Sequence, residues 1–456
     1  MYAKSAWEKY SEEECKTCFD FCEGYKEFIS YGKTERLVAR RALELAKKAG
    51  YKNLFEVDKV QKGDKLYVVN KNKNVCLFIV GERPVTEGLR ILGAHIDSPR
   101  IDIKQNPVYE KQGQAYFETH YYGGIKKYQW VTIPLAMHGV IVKKNGETVE
   151  VHIGEDPSDP VLGITDLLIH LAQQQLQKPA GSVIEGEDLN LSMASIPSKK
   201  AEKDKVKATV LEFFKEKYGI EEEDFLSAEL EVVPAGKARD YGIDRSMIAG
   251  YGHDDRVCAY TSLLAILDSS ECEYTSCCIL VDKEEVGSIG ATGAQSKFFQ
   301  TTIAELIQRQ KGDCSFLDIS HAMENSKMLS SDVSAAFDPL YPQVNEPNNS
   351  CYFGKGITFN KYTGSRGKSG CNDANPEFIA KVRKILDDAN INYQTSELGK
   401  VDAGGGGTIA YILGNYNMHV LDAGVPVYSM HSPMEIVSKA DVYEAYKAYK
   451  VFLKDA

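Results

Sequence analysis

Side chains that could bind metal ions recur at separate places along the chain. They are His95, Asp97, Asp254, Glu284, Glu285, Asp332 and His431. Imidazole nitrogens and carboxylate oxygens are ligands for divalent cations such as zinc. Five of these side chains could hold two cations, which leaves one carboxylate as a proton carrier and Asp97 to orient His95 from behind. The set predicts a two-metal hydrolytic centre in which water attacks a polarised carbonyl group.

The first pair, His95 and Asp97, stands where the apolar run GLRILGAHID ends. Residues two apart on an extended chain point the same way, so Asp97 can accept the ring proton of His95. Asp254, in YGHDDRV, precedes a predicted helix and could either bridge two cations or cap the helix. His253 is a rival ligand, although its position before the helix favours a surface role.

Two adjacent carboxylates, Glu284 and Glu285, follow the apolar run CCILVDK. They would repel each other unless cations or a shared proton compensated. We expect Glu285 to bind a metal ion and Glu284 to take a proton from the attacking water and pass it to the leaving amine. A solvated acidic turn is the alternative explanation for the pair alone.

Asp332 and His431 complete the predicted ligand set, and each follows an apolar segment. We expect His95 and Asp332 to hold one cation, and Glu285 and His431 the other. Asp254 would bridge the two cations, with coordination positions left open for water and substrate. Zinc, manganese and cobalt all accept this mixture of carboxylate and imidazole ligands.

Strands and helices alternate in the parts of the chain that carry these residues. Helices are predicted over 6–30 and 34–49, and LYVVN and CLFIV form a hairpin before the central strand GLRILGAHID. After residue 238 the predicted order is helix AYTSLLAILDSS, strand SCCILVDKEE, strand GDCSFLDIS, helix NPEFIAKVRKILDDANI, strand NMHVLDAG and helix SKADVYEAYKAYKVFLKDA. This pattern predicts an α/β fold with a mostly parallel sheet flanked by helices, whose ligands gather at the carboxyl ends of strands.

A long insertion with a different residue pattern separates the two α/β parts. It contains short strand-like segments such as VTIPLAMHGVIV and ETVEVHIG. We therefore expect residues 1–104 and 238–456 to form a catalytic α/β domain, and residues 105–237 to form an inserted, largely β domain that acts as a lid or assembly domain.

Composition excludes several classes of partner. The net charge of -11 comes from 65 acidic and 54 basic residues, without a basic stripe that would bind nucleic acid or an anionic membrane. The sequence has no apolar stretch long enough to span a bilayer, and its start lacks the apolar core of a signal peptide. We expect a cytoplasmic protein whose eleven cysteines are reduced thiols.

Five motifs, in order, resemble those of the M18 family of metalloaminopeptidases, in its bacterial branch. They are GAHIDSPR, GHDDRVCAY, DKEEVGS, SSDVSAAFDP and MHSPME, and the likeness covers essentially the whole chain. The long insertion lies between Asp97 and Asp254, as in the M18 and M42 families, and the last two motifs favour M18. The resemblance implies a co-catalytic zinc pair with the ligands given above and removal of one N-terminal residue at a time from peptides. It also implies a homo-oligomer, a tetrahedral dodecamer whose active sites face an interior chamber.

The resemblance bears on two further groups of residues. His170, in ITDLLIHLAQQQ, lies where the family delivers a histidine into a neighbouring subunit's active site, and it could stabilise the oxyanion; a packing role is the alternative. Lys361, Arg366 and Lys368 could supply the cation that an acidic first residue needs, or they could form a solvated loop. The glycines at 404–407 are not followed by the Lys-Ser or Lys-Thr of a phosphate loop, so close packing or close approach to substrate is the better interpretation.

Together these observations predict a dizinc aminopeptidase acting on peptides with a free N-terminus, with a possible preference for acidic first residues. One alternative is a metal-dependent amidohydrolase or deacylase that acts on acylated small molecules. Another is an inactive shell or cargo protein that has kept the fold, against which the complete ligand set argues.

Overall fold

The computed structural model describes residues 4–270 and 272–456. The chain divides into two compact units. The first comprises residues 4–97, Ala238–Met430 and Glu435–Ala456, and the second comprises Ser98–Lys237 and His431–Met434.

The α-helices of the described residues range from 5 to 20 residues in length. In chain order they are α1 Glu12–Tyr31, α2 Glu35–Lys48, α3 Lys205–Tyr218, α4 His253–Leu267, α5 Phe298–Lys311, α6 Phe316–Glu324, α7 Pro376–Asp388, α8 Ala410–Gly414 and α9 Lys439–Asp455. Ser11 begins α1 with a capping box, and the Thr34 side chain accepts the N–H of Leu37 at the start of α2. The predicted first helix therefore begins later than expected, because Ser11 caps it and only a short 3-10 turn precedes it.

The strands follow the same chain order. They are β1 Lys52–Asn53, β2 Lys65–Asn70, β3 Asn74–Ile79, β4 Leu89–His95, β5 Arg100–Lys111, β6 Gln114–Tyr122, β7 Leu135–Val142, β8 Thr148–Ile153, β9 Leu191–Ala194, β10 Ala228–Pro234, β11 Arg239–Tyr241, β12 Met247–Gly250, β13 Thr275–Val281, β14 Lys327–Ser330, β15 Ser334–Ala335, β16 Ile357–Asn360, β17 Tyr393–Thr395, β18 His419–Gly424, β19 Pro426–Tyr428 and β20 Glu435–Ser438.

The first unit is built on a large mixed sheet with the order β1-β2-β3-β13-β4-β14-β18-β16-β17. Its centre, β13-β4-β14-β18, is parallel, and β4 is buried along its whole length. Successive residues of β4 point to opposite faces of the sheet. On one face, Leu92 belongs to the hydrophobic cluster that includes residues of α1, α2, α4, α7 and α9. On the other face, Ile91 belongs to the cluster that includes residues of α5 and α8. The predicted α/β fold is confirmed.

A smaller sheet in the first unit has the order β11-β12-β20-β19-β15. Strand β20 pairs antiparallel with both β12 and β19. Its first residue, Glu435, is buried. The pairing brings Glu435 opposite Gly250, shortly before the start of α4.

The second unit is β-rich, as predicted for the insertion. Its sheet has the order β8-β7-β10-β5-β6-β9, and neighbouring strands are antiparallel. Helix α3 covers one face, where Phe214 stacks on Phe117 with ring centroids 5.7 Å apart and Phe225 packs edge-on against both rings. This aromatic cluster gives the unit a core of its own.

One predicted strand is wrong. The segment GDCSFLDIS contributes α6 instead, because Ser315 and Asp318 form a capping box that starts a helix. None of the helices in the described part of the chain combines the length and the apolar run that a bilayer crossing needs. The cysteines of that part are free thiols.

Candidate metal centre

Parallel pairing in the large sheet brings several predicted site residues to one edge. Strand β4 ends at His95, its neighbour β14 ends two residues before Asp332, and its other neighbour β13 runs into the turn that carries Glu284 and Glu285. The backbone N–H of Ile96 donates to the carbonyl of Val281, which continues the β13–β4 ladder to this edge. Ligand sites of open α/β sheets lie beyond the carboxyl ends of such strands.

His95, Asp254 and Asp332 form a buried group whose ligand atoms all lie within 4.8 Å of one another. His95 Nε2 is 3.1 Å from Asp254 Oδ1 and 3.8 Å from Asp332 Oδ1. One imidazole nitrogen and two carboxylate oxygens therefore converge on a common point, in the first unit of the chain.

Asp97 lies behind this group and is fully buried. His95 Nδ1 faces the Asp97 carbonyl oxygen at 3.1 Å and its Oδ1 at 3.3 Å. Because both atoms are acceptors, Nδ1 carries a proton, which leaves Nε2 as the nitrogen that could bind a metal ion. Asp97 is placed where the sequence predicted an orienting residue.

The acidic turn is held by the same carboxylate. The backbone N–H groups of Glu284 and Glu285 donate to Asp97 Oδ1 and Oδ2, each at 3.2 Å. Glu284 Oε2 is 3.9 Å from His95 Nε2. Glu285 offers a carboxylate oxygen within 4.8 Å of one from Asp254. The two glutamate carboxylates thus lie next to the group formed by His95, Asp254 and Asp332, but they do not make its shortest contacts.

Asp254 lies at the start of α4, where the chain is not yet helical. The preceding Gly252 has a left-handed conformation, the Asp254–Asp255 peptide bond is cis, and Asp254 has φ -77° and ψ 109°. Its backbone N–H donates to Glu435 Oε2 at 3.0 Å. The Asp254 carboxylate is turned toward His95, and no side-chain cap for α4 is present in the described residues.

Burial and crowded charge shift the pKa values of the group. Burial raises the pKa of Asp332 well above its ordinary value; the charge of His95 opposes this rise, and the carboxylates of Glu284 and Asp254 add to it. Burial lowers the pKa of His95, but hydrogen bonds to Asp254 and Asp97 outweigh it and raise that pKa well above the ordinary value. Such a group takes up positive charge readily.

A divalent cation fits this donor set. Buried carboxylates that converge on one imidazole are costly unless a proton or a metal ion compensates, and zinc binds nitrogen and oxygen ligands of these kinds. Gly424 packs closely against the backbone of Asp332, because a Cβ there would lie 1.8 Å from the Asp332 carbonyl oxygen. The arrangement is suited to metal-assisted hydrolysis.

His431 and His170 belong to the second unit. His431 Nδ1 faces the carbonyl oxygen of Gly124 at 2.9 Å, so Nε2 is the nitrogen left with a lone pair. His170 lies in a short 3-10 turn, Ile169–Leu171, and is exposed. Exposure removes the packing role that was the alternative for His170.

The expected surface role of His253 is wrong. Its ring is fully buried, and Nδ1 lies 2.5 Å from the hydroxyl of Tyr25 on α1. Burial lowers its pKa to about 3, so the ring is neutral. Tyr25 lies far away in the chain, and the local sequence therefore gave no indication of this contact.

Sequence reasoning assigned no role to Glu435 or Asp422. Glu435 ends the motif MHSPME and anchors the backbone of Asp254. Asp422 is buried on β18 opposite Ser330, and the Thr408 hydroxyl donates to its Oδ1 at 2.7 Å. Burial raises the pKa of Asp422 to about 7, against the effect of the Thr408 hydrogen bond. Glu435 begins β20 and Asp422 lies within β18, and an acidic side chain in a strand was the only available indication.

The first two glycines of the run at 404–407 pack tightly. A Cβ on Gly404 would lie 2.0 Å from the Leu398 carbonyl oxygen, and one on Gly405 would lie 2.4 Å from the side chain of Ser365. A pocket of about 210 Å³ lies here, lined by Tyr362, Thr363, Gly364, Arg366, Gly367, Lys368, Glu397, Leu398, Gly399, Lys400, Val401, Asp402 and Gly404. The predicted cations Arg366 and Lys368 therefore line a concave surface.

Known proteins resemble this chain in both fold and sequence. The family profile described as Aminopeptidase I zinc metalloprotease (M18) matches residues 28–453. A probable M18 family aminopeptidase 1 of Clostridium acetobutylicum is 58% identical over 457 residues, which cover 99% of this chain and 98% of that protein. The crystal structure of an M18 family aminopeptidase from Thermotoga maritima is 42% identical, with a TM-score of 0.97 and 100% of both chains covered.

A more distant structure, the S. cerevisiae mApe1 dodecamer, is 20% identical, with a TM-score of 0.75 over 95% of this chain and 96% of that chain, and it shares the fold. The chain belongs to the M18 family of zinc metalloproteases. It is an aminopeptidase, and the predicted hydrolase class and family are confirmed.

Proposed function

We propose that the enzyme holds two zinc ions per subunit. His95 and Asp332 bind one ion, Glu285 and His431 bind the other, and Asp254 bridges them. The observation that carries this assignment is the buried convergence of His95, Asp254 and Asp332 in front of Asp97. The proximity of the Asp254 and Glu285 carboxylates supports the extension to a second ion.

The assignment of His431 rests on two local observations. The hydrogen bond from Nδ1 to the Gly124 carbonyl leaves Nε2 as the ligand nitrogen, which is the usual arrangement behind a metal-bound imidazole. In addition, His431 lies only four positions before Glu435 in the chain, and the Glu435 carboxylate accepts the N–H of Asp254.

Glu284 is the proposed general base. When bound, the metal pair polarises the scissile carbonyl group and lowers the pKa of water. The Glu284 carboxylate accepts a proton from the attacking water and delivers it to the amine that leaves. Its side chain is 17% exposed, so it can meet solvent, while its backbone is fixed by Asp97.

The proposed substrate is a peptide with a free N-terminus, from which one residue is removed. An acidic first side chain would find complementary charge in the loop 361–373. Lys361 and Lys368 both bind Asp373, at 2.8 and 3.0 Å, and Arg366 adds a further cation. With three cations and one carboxylate among these four side chains, the loop keeps positive charge for such a substrate.

We also propose that subunits assemble into a tetrahedral dodecamer and that His170 serves a neighbouring active site. The supporting observation is a run of exposed apolar residues around it: Leu167, Leu168, Ile169 and Leu171 are 53 to 69% exposed. Apolar surface of this kind marks a protein contact. The dodecameric S. cerevisiae protein shares the fold.

A substrate comparison tests the proposed function. Zinc-loaded enzyme is expected to release the first residue from free peptides and to leave the N-acetylated forms intact. Comparable hydrolysis of acetylated peptides would overturn the requirement for a free amine and favour a deacylase. Anomalous diffraction from zinc-loaded crystals of the same preparation should show two ions at the proposed ligand set.

A further inference from the structure

Two histidines face each other on the sheet of the second unit, in a part of the chain that the proposed catalysis does not use. His138 on β7 lies directly opposite His152 on the edge strand β8. Their ring centroids are 5.4 Å apart, and the two Nδ1 atoms approach to 3.1 Å. The nearest atoms of the pair are therefore both ring nitrogens.

The outer nitrogen of each ring faces a carboxylate. His138 Nε2 is 3.2 Å from Glu155 Oε1, and His152 Nε2 is 3.4 Å from Glu150 Oε2. An ionised carboxylate only accepts hydrogen bonds, so each Nε2 carries the ring's proton. Glu155 is itself oriented by the backbone N–H of Gly236, at 3.0 Å from its Oε2. In the neutral rings both Nδ1 atoms then present lone pairs to each other.

Two facing lone pairs at this distance repel each other unless a proton or a metal cation lies between them. An added proton would satisfy the pair, but it supplies one positive charge beside the two carboxylates of Glu150 and Glu155. On the next two strands, β10 and β5, Glu231, opposite His138, and Asp102 share the guanidinium of Arg100 at 3.2 and 2.8 Å, so this guanidinium is already paired. A divalent ion compensates the local charge more completely.

We propose that His138 and His152 bind a divalent metal ion of the zinc class, at a site separate from the proposed catalytic pair. Nitrogens 3.1 Å apart, each about 2.05 Å from a zinc ion, subtend about 100°, close to the tetrahedral angle. Glu150 and Glu155 act as the carboxylates behind the ligand histidines. His138 is buried, whereas the His152 side chain is 44% exposed, so the remaining coordination positions open to water.

A difference in zinc content tests the proposal on the full-length enzyme. After equilibration with zinc and dialysis, wild type is expected to retain one more equivalent of zinc per chain than His152→Gln. This difference does not depend on how much zinc the proposed catalytic site retains. The matched control is His120→Gln, which alters an exposed histidine on β6 that bonds the Tyr121 carbonyl and is expected to keep the wild-type content. Glu155→Gln keeps both imidazoles and is expected to weaken this equivalent about 10- to 100-fold.

Diffraction at the zinc absorption edge gives a second measurement that needs no variant. Wild-type crystals grown with zinc should show an anomalous peak between the two Nδ1 atoms. Equal zinc content in wild type and His152→Gln, or no peak at that position, would overturn the proposal and leave a shared proton as the explanation. Peptide hydrolysis by His152→Gln is expected to match wild type, which separates this site from the catalytic one.

Discussion

Asp97 connects the proposed metal ligand His95 to the proposed base Glu284. Its carbonyl oxygen lies 3.1 Å from His95 Nδ1, and its Oδ1 accepts the Glu284 N–H at 3.2 Å. The same carboxylate accepts the N–H of Glu285 through Oδ2. One buried residue therefore orients a proposed ligand and fixes the position of the acidic turn.

Asp97→Asn is expected to weaken zinc binding about 10- to 100-fold, because an amide NH2 would replace one acceptor that faces the N–H groups of the turn. Excess zinc should restore part of the activity. Peptide hydrolysis measured against free zinc concentration checks this. Asp64→Asn, on a surface turn of the same unit, is the control. An unchanged zinc dependence in Asp97→Asn would contradict the orienting role.

Glu284→Gln is expected to lower kcat by about 10² to 10⁴ fold, since the amide cannot accept the proton of the attacking water. Zinc content should stay at the wild-type level, because Glu284 is not among the proposed ligands. Steady-state kinetics and metal analysis on the same sample check both statements. Glu305→Gln on α5 serves as control, and a zinc-loaded Glu284→Gln enzyme with wild-type kcat would disprove the assignment.

His170→Gln is expected to lower activity without loss of zinc or of assembly. If His170 acts in a neighbouring subunit, oligomers reassembled from mixed His170→Gln and Glu284→Gln chains should be more active than either variant alone. In such an oligomer, a His170→Gln chain supplies an active site with intact ligands and Glu284, and a neighbouring Glu284→Gln chain supplies His170 to it. Activity of the mixture equal to the average of the two variants would show that His170 does not act between subunits.

Asp422→Asn tests the pH dependence of stability. The pKa of Asp422 is raised to about 7 in the folded chain, from its ordinary value of 3.8. A raised pKa contributes stability that is complete below about pH 4 and is lost as pH rises through about 7, by up to about 1.4 kcal/mol per pH unit. The asparagine variant removes this loss and still accepts the Thr408 hydrogen bond.

Urea unfolding of both proteins at pH 5 and pH 8 measures the effect. The free energy of unfolding of Asp422→Asn should exceed that of wild type by more at pH 8 than at pH 5. An equal difference at the two pH values would contradict the raised pKa.

Asp373→Asn is expected to raise the ratio of kcat/KM for aspartyl over leucyl peptides, because it removes the carboxylate that holds Lys361 and Lys368. Lys368→Met should lower the same ratio. Lys384→Met, which breaks an exposed ion pair with Asp388 on α7, is the control. If neither loop variant changes the ratio, the loop does not select acidic residues.

The buried group of His95, Asp254 and Asp332 could be expected from the sequence because His95 and Asp332 follow apolar strands. Parallel pairing of β4, β13 and β14 then brings their ends together, a consequence that periodicity alone can foresee. The contacts that hold these ligands were harder to foresee. Glu435 and Tyr25 reach Asp254 and His253 from distant parts of the chain, and no local pattern encodes that approach.

The error at α6 has a different cause. GDCSFLDIS is apolar enough to suit a strand, and its length does not distinguish the two structures. The decisive residues are Ser315 and Asp318, whose reciprocal hydrogen bonds start a helix. Polar capping residues outweighed the apolar run.

The strands β4 and β14 are neighbours in the sheet, although residues 98–237 of the second unit and helix α4 lie between them in the chain. During translation, a ribosome must therefore release the chain beyond Asp332 before His95, Asp254 and Asp332 can come together. Until then the nascent protein has no complete active site and does not hydrolyse the peptides around it.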